Sequence, residues 1–108
     1  MCVIPEHMPT ILAQVLQEQA RTKPGILYRD LMACDRFDVI SRLHEITVPT
    51  MIICGSEDRL TPPKYSNFLL ERLTGIEHGA SLHIFPNAGH YVMREQAEMV
   101  NRAIEEWV

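Results

Sequence analysis

Two short apolar runs limit this fold more than any other feature: TMIIC at residues 50–54 and SLHIF at residues 81–85. Each is closed by turn formers, Gly55 after the first and Pro86-Asn87-Ala88-Gly89 after the second. Short, partly β-branched runs bounded in this way read as strands. Between them Pro62-Pro63 opens a segment with Tyr65, Phe68, Leu69 and Leu73 at helical spacing. A strand, a helix and a second strand in that order form a right-handed crossover with parallel strands. Parallel strands are normally covered on both faces, so residues 50–54 are expected to be buried on both. The predicted class is therefore α/β. A sheet of two parallel strands leaves an unpaired edge, which soluble proteins avoid, so the pattern describes part of a sheet.

Helical spacing dominates the remainder. Residues 10–20 carry Ile11, Leu12, Val15 and Leu16 on one stripe. Lys23-Pro24-Gly25 interrupts it, and residues 25–33 follow with Ile26, Leu27, Leu31 and Met32 on an apolar side. Asp38 is placed to cap a short helix carrying Val39, Ile40 and Leu43. A last helix is expected from about 94 to 107, with Ala97, Val100, Ile104 and Trp107 on one face. The whole, 1–108, is expected to be a single domain: a helical segment over 1–45 and a βαβα part over 46–108.

Composition excludes several classes. Net charge is −4 with acids and bases interleaved, so no basic patch is available for nucleic acid. No apolar run approaches bilayer length, and residues 1–6 lack the basic-then-apolar order of a secretory signal. Cys2, Cys34 and Cys54 make an odd number with no motif spacing, as expected of reduced thiols in a cytoplasmic protein. Cys54 ends a strand and reads as a small buried hydrophobe; a nucleophilic role there is disfavoured, since nothing cationic stands near it to stabilise a thiolate. His7, His44, His78 and His83 have no metal-ligand spacing and read as surface or packing residues. No cofactor is implied.

The chemistry concentrates at the two strand ends. Asp58 lies in the turn after the first strand and His90 in the turn after the second. Parallel-sheet proteins place their chemistry at this end of the sheet, and neighbouring strands are about 4.8 Å apart. An aspartate accepting the imidazole Nδ1–H would fix the tautomer and leave Nε2 as a base. Each residue also has a simpler reading. Asp58 could cap or close the turn before the Pro62-Pro63 helix, and His90 could bond only to backbone near the start of a helix. Glu57 reads as a solvated turn acid. Val92 and Met93 could line a pocket or the core.

The run Gly55-Ser56-Glu57-Asp58-Arg59-Leu60-Thr61-Pro62, followed by Ala88-Gly89-His90 after the next strand, resembles the C-terminal third of an α/β-hydrolase from Phe37 to Val108. Residues 9–45 resemble the end of that family's helical cap. The resemblance implies a partial α/β-hydrolase fold, with Asp58 as the acid and His90 as the histidine of a Ser-His-Asp triad acting on an ester, lactone or amide. The family's Gly-x-Ser-x-Gly elbow has no counterpart among Ser41, Ser56, Ser66 and Ser81.

Two functions of different classes follow. In the first, the chain supplies acid and base but no nucleophile and is inactive alone, as a truncated or split hydrolase would be. Its partner is then a complementary N-terminal hydrolase chain, and a small-molecule substrate binds only once the site is completed. In the second, it is a non-catalytic oligomerisation or partner-binding module that keeps the fold. Either way, the open sheet edge favours a homo-oligomer, most simply a dimer.

Overall fold

A computed structural model describes residues 8–108; Cys2, His7 and residues 1–6 lie outside them. The element order is α1 (Pro9–Arg21), α2 (Pro24–Arg36), a 3-10 helix (Ile40–Glu45), β1 (Met51–Gly55), α3 (Pro63–Arg72), β2 (Ser81–Phe85), α4 (Val92–Glu95) and α5 (Ala97–Trp107). Among the described residues the sheet has two strands, and they are parallel, with Met51 opposite Ser81 and Gly55 opposite Phe85. The expected α/β class and crossover are present.

Prolines start three of the helices. Pro9, Pro24 and Pro63 sit in the first turns of α1, α2 and α3, where the missing N–H has no intrahelical acceptor to lose. Pro24 therefore begins α2 rather than merely interrupting α1. Asp38 was expected to cap the 3-10 helix, but Val39 holds the cap position with no side-chain bond; Asp38, one residue earlier, accepts the Ile40 N–H on Oδ1 at 3.0 Å.

Successive strand residues point to opposite faces, and each face has its own core. Ile53 packs against Phe85, Ala88, Val92 and Val100, with Ala103 beside them. Ile52 packs against the cluster of Leu43, Leu73 and Ile76, with Val39 and Ala80. Burial along β1 is uneven, however. Met51, Ile52 and Ile53 are half-buried, and only Cys54 and Gly55 are fully covered. Two strands and their helices do not enclose the start of β1, so full burial on both faces is limited to its C-terminal end.

Two helical stripes are corrected in the same sense. Ile26, Leu27 and Leu31 of α2 are half or more exposed, because no second layer among the described residues packs on that side. In α5, Val100 and Ala103 reach the core while Ala97, Ile104 and Trp107 stay exposed. The expected single last helix is also broken. Gln96 leaves helical geometry at φ −133° and ψ 51° between α4 and α5, and its Nε2 donates to the Pro86 carbonyl at 3.1 Å.

Candidate active site

The turns after β1 and β2 are stitched together by backbone. Ser56 N–H donates to the Phe85 carbonyl and Glu57 N–H to the Ala88 carbonyl, both at 2.8 Å. Asp58 N–H returns to the Gly55 carbonyl at 3.2 Å, closing the tight turn that presents the Asp58 side chain. In the second turn Asn87 takes a left-handed φ of 53°, which asparagine tolerates better than most residues. That reverses the chain between Phe85 and the buried Ala88-Gly89 pair.

Asp58 and His90 meet across these turns. His90 Nδ1 lies 2.9 Å from Asp58 Oδ2. The Asp58 side chain is 5% exposed and that of His90 29%, so the acid is enclosed while the ring reaches solvent. The other carboxylate oxygen, Oδ1, accepts the N–H groups of Leu60 and Thr61, each at 2.9 Å. The turn-closing reading of Asp58 and the paired reading therefore coexist, one on each oxygen. Asp58 does not cap α3, whose first residues follow Pro62 with no side-chain cap.

Two further polar residues belong to the constellation, and the sequence reading missed both. Thr61 Oγ1 donates to Asp58 Oδ2 at 3.1 Å and lies 3.2 Å from His90 Nδ1. Glu95 is 7% exposed, and its two carboxylate oxygens accept the Gly89 N–H at 3.0 and 3.1 Å. That bond fixes the residue immediately before His90. The signals were faint: a hydroxyl three residues after an aspartate in a turn, and an acid three residues after Val92 on the inward face of a helix.

Charge and hydrogen bonding oppose each other at Asp58. Burial pushes its carboxyl up, but donation from the Thr61 N–H, the His90 ring and the Thr61 hydroxyl, with the charge of His90, outweighs burial and holds it below the ordinary 3.8. The carboxylate thus stays charged near neutrality. An anion accepting at Nδ1 places the ring proton there and makes Nε2 the basic nitrogen. Such a pair can take a proton from a hydroxyl and return it to a leaving group.

The other candidates separate from this centre. Glu57 is exposed. Val92 is a core residue at 4% exposure, whereas Met93 is exposed. Cys54 is buried, with Sγ 3.3 Å from the Gly55 carbonyl oxygen, and Cys34 is exposed. His83 stacks on Phe85 with ring centroids 6.2 Å apart, and His44 and His78 are exposed. Among the described residues no group of three His, Cys, Asp or Glu could hold a metal ion, and no helix is long and apolar enough to cross a membrane.

Comparison with known proteins identifies the family. The family model of serine aminopeptidase, S33, matches residues 5–97. The chain belongs to this family of α/β-hydrolases. It is similar to 2-hydroxy-6-oxononadienedioate/2-hydroxy-6-oxononatrienedioate hydrolase 2 of Pseudomonas putida, 43% identical over 62% of this chain and 22% of that protein. A pimeloyl-[acyl-carrier protein] methyl ester esterase of Neisseria meningitidis is 32% identical over 82% of this chain and 27% of the relative. Among solved structures, a thermophilic esterase superposes with TM-score 0.66 and 38% identity, over 77% of this chain and 33% of its own. MGS-M2, an alpha/beta hydrolase enzyme from a Medee basin deep-sea metagenome library, gives TM-score 0.67 at 26% identity, over 91% and 38%. The chain thus spans only about a fifth to a quarter of the length of these curated relatives. Its fold is a partial α/β-hydrolase fold.

Proposed function

We propose that this chain supplies the acid and base of a Ser-His-Asp triad for hydrolysis of an ester, lactone or amide, with Asp58 orienting His90. The observation that carries the reading is the 2.9 Å contact between Asp58 Oδ2 and His90 Nδ1, with Asp58 enclosed and His90 open to solvent. In the reaction His90 Nε2 removes the serine hydroxyl proton as the oxygen attacks the carbonyl, then delivers it to the leaving group. The serine and the oxyanion donors are contributed by residues outside this chain, which contains no Gly-x-Ser-x-Gly sequence. Names among the relatives that include esterases and a dienedioate/trienedioate hydrolase support the hydrolytic class without selecting a substrate.

The test is a fusion of the chain behind the preceding part of the thermophilic esterase that is 38% identical to it. The fusion is expected to hydrolyse a short p-nitrophenyl ester and to react with a fluorophosphonate at the grafted serine. Asp58→Asn and His90→Ala should each cut turnover by about 10²–10⁴-fold. A folded fusion that is inactive, or one indifferent to both substitutions, overturns the reading. The isolated chain should leave its own four serines unlabelled.

A second reading, a non-catalytic oligomerisation or partner-binding module, is favoured by one observation. Ile26, Leu27 and Leu31 present an exposed apolar side on α2, larger than a lone surface residue needs.

A further inference from the structure

We infer that Thr61 is a positioning residue of the Asp58–His90 pair, its hydroxyl bridging the two side chains. The inference rests on the acid–base reading above and adds to it a third member. The Thr61 hydroxyl has one proton and can accept as well. Its proton goes to Asp58 Oδ2 at 3.1 Å, so toward His90 Nδ1, 3.2 Å away, its oxygen can only accept. Nδ1 is then flanked by two acceptors, Oδ2 and Oγ1. A ring carrying its proton on Nε2 would set a lone pair against both. The Nδ1–H tautomer satisfies all three atoms at once.

The same hydroxyl completes the carboxylate. Oδ1 receives Leu60 N–H and Thr61 N–H. Oδ2 receives Thr61 Oγ1–H and the ring. With two donors on each oxygen, rotation of the carboxylate about its Cβ–Cγ bond breaks bonds on both sides. Thr61 thereby fixes the oxygen that faces the ring and disfavours proton uptake by Asp58.

The surrounding charges do not supply this role. On its own turn Asp58 is flanked by Glu57 and Arg59, both exposed. From the opposing turn it meets His90. In α4, Arg94 is held by Glu18 of α1 at 2.9 Å, and Glu95 is engaged by the Gly89 N–H.

Nuclear magnetic resonance on the chain itself tests the inference, with the ¹⁵N-labelled ring of His90 and the ¹³C-labelled carboxyl of Asp58 as probes. Wild type is expected to show the Nδ1–H tautomer and a slowly exchanging Nδ1 proton. Thr61→Val keeps the backbone N–H and the shape but removes the hydroxyl. It should broaden or abolish the Nδ1 proton signal and move the Asp58 titration to higher pH. Thr61→Ser should restore both.

Asp58→Asn separates this inference from the one beneath it. If the wild-type ring has no fixed Nδ1–H, or Asp58→Asn leaves the ring unchanged, the pair itself fails. If Asp58→Asn releases the ring while Thr61→Val changes neither probe, the pair stands and the role of Thr61 is overturned. Failure of Thr61→Ser to restore the signals also overturns it, since the cause would then be packing. Loss of fold in both Thr61→Val and Thr61→Ala counts against it too, making Thr61 structural.

Discussion

A Cβ atom placed on Gly55 would lie 2.3 Å from the carbonyl oxygen of Ala88 and equally close to that of Gly89. The last residue of β1 therefore touches the backbone of the turn that carries His90, and only a residue without a side chain permits it. This approach sets the spacing at which Asp58, three residues on, meets the imidazole.

Gly55→Ala follows directly. The obstruction is backbone on both sides, so the turn must move rather than a side chain rotate. We predict a destabilisation of about 1–3 kcal/mol, the usual range for overpacking, together with loss of the Asp58–His90 bond. Denaturant titration measures the first and the His90 ring spectrum the second. A variant as stable as wild type with an unchanged ring would refute the prediction.

Glu95 offers a separate handle on the same turn. Glu95→Ala leaves the buried Gly89 N–H without an acceptor, which costs about 1–3 kcal/mol. Glu95→Gln keeps an acceptor oxygen and should lose less. Amide hydrogen exchange at Gly89 should quicken in Glu95→Ala and stay closer to wild type in Glu95→Gln. Equal stability of the two variants would show that the contact is not held by the acceptor.

Stability should depend on pH through Asp58. Its folded carboxyl is held below the ordinary 3.8, so the unfolded chain binds the proton more readily. The stabilisation is then fully present above that ordinary value and is lost as pH falls below it toward the lower folded value. Chemical denaturation at a series of acidic pH values should give a steeper decline for wild type than for Asp58→Asn. Parallel curves would contradict the bonding described for the carboxylate.

Much of this fold was legible because its signals are local. Residues 81–85 form β2 as read, and the first strand differs by one residue at each end. Proline at α3 and the bond from the Ile40 N–H to Asp38 are nearest-neighbour effects, and the family resemblance rested on two turn motifs in the right order. What escaped depends on tertiary approach. The break at Gln96 comes with a bond from its side chain to Pro86, ten residues away, and an apolar stripe through 97–107 gives no hint of it. Glu95 looks like any acid at a helix start until the turn before His90 is folded over it. The stripe on α2 was read correctly as amphipathic, but sequence periodicity cannot say whether a layer exists to cover it.

That uncovered layer motivates the last prediction. Ile26, Leu27 and Leu31 on α2 and Ile84 on β2 are all exposed, and a two-strand sheet in this chain has no further strand to pair with among the described residues. Unpaired strand edges recruit other strands, and contiguous exposed apolar surface recruits other surfaces. A twofold dimer closes either surface with a single self-complementary contact. Sedimentation at micromolar concentration should therefore give a mass above the 12.4 kDa of one chain. Leu27→Lys together with Leu31→Lys should shift the distribution toward monomer if the α2 side forms the contact, and leave it unchanged if the strands do. A folded monomer of 12.4 kDa with cooperative unfolding would refute self-association, because it would mean that the two small clusters around Phe85 and Leu73 stabilise the sheet without help.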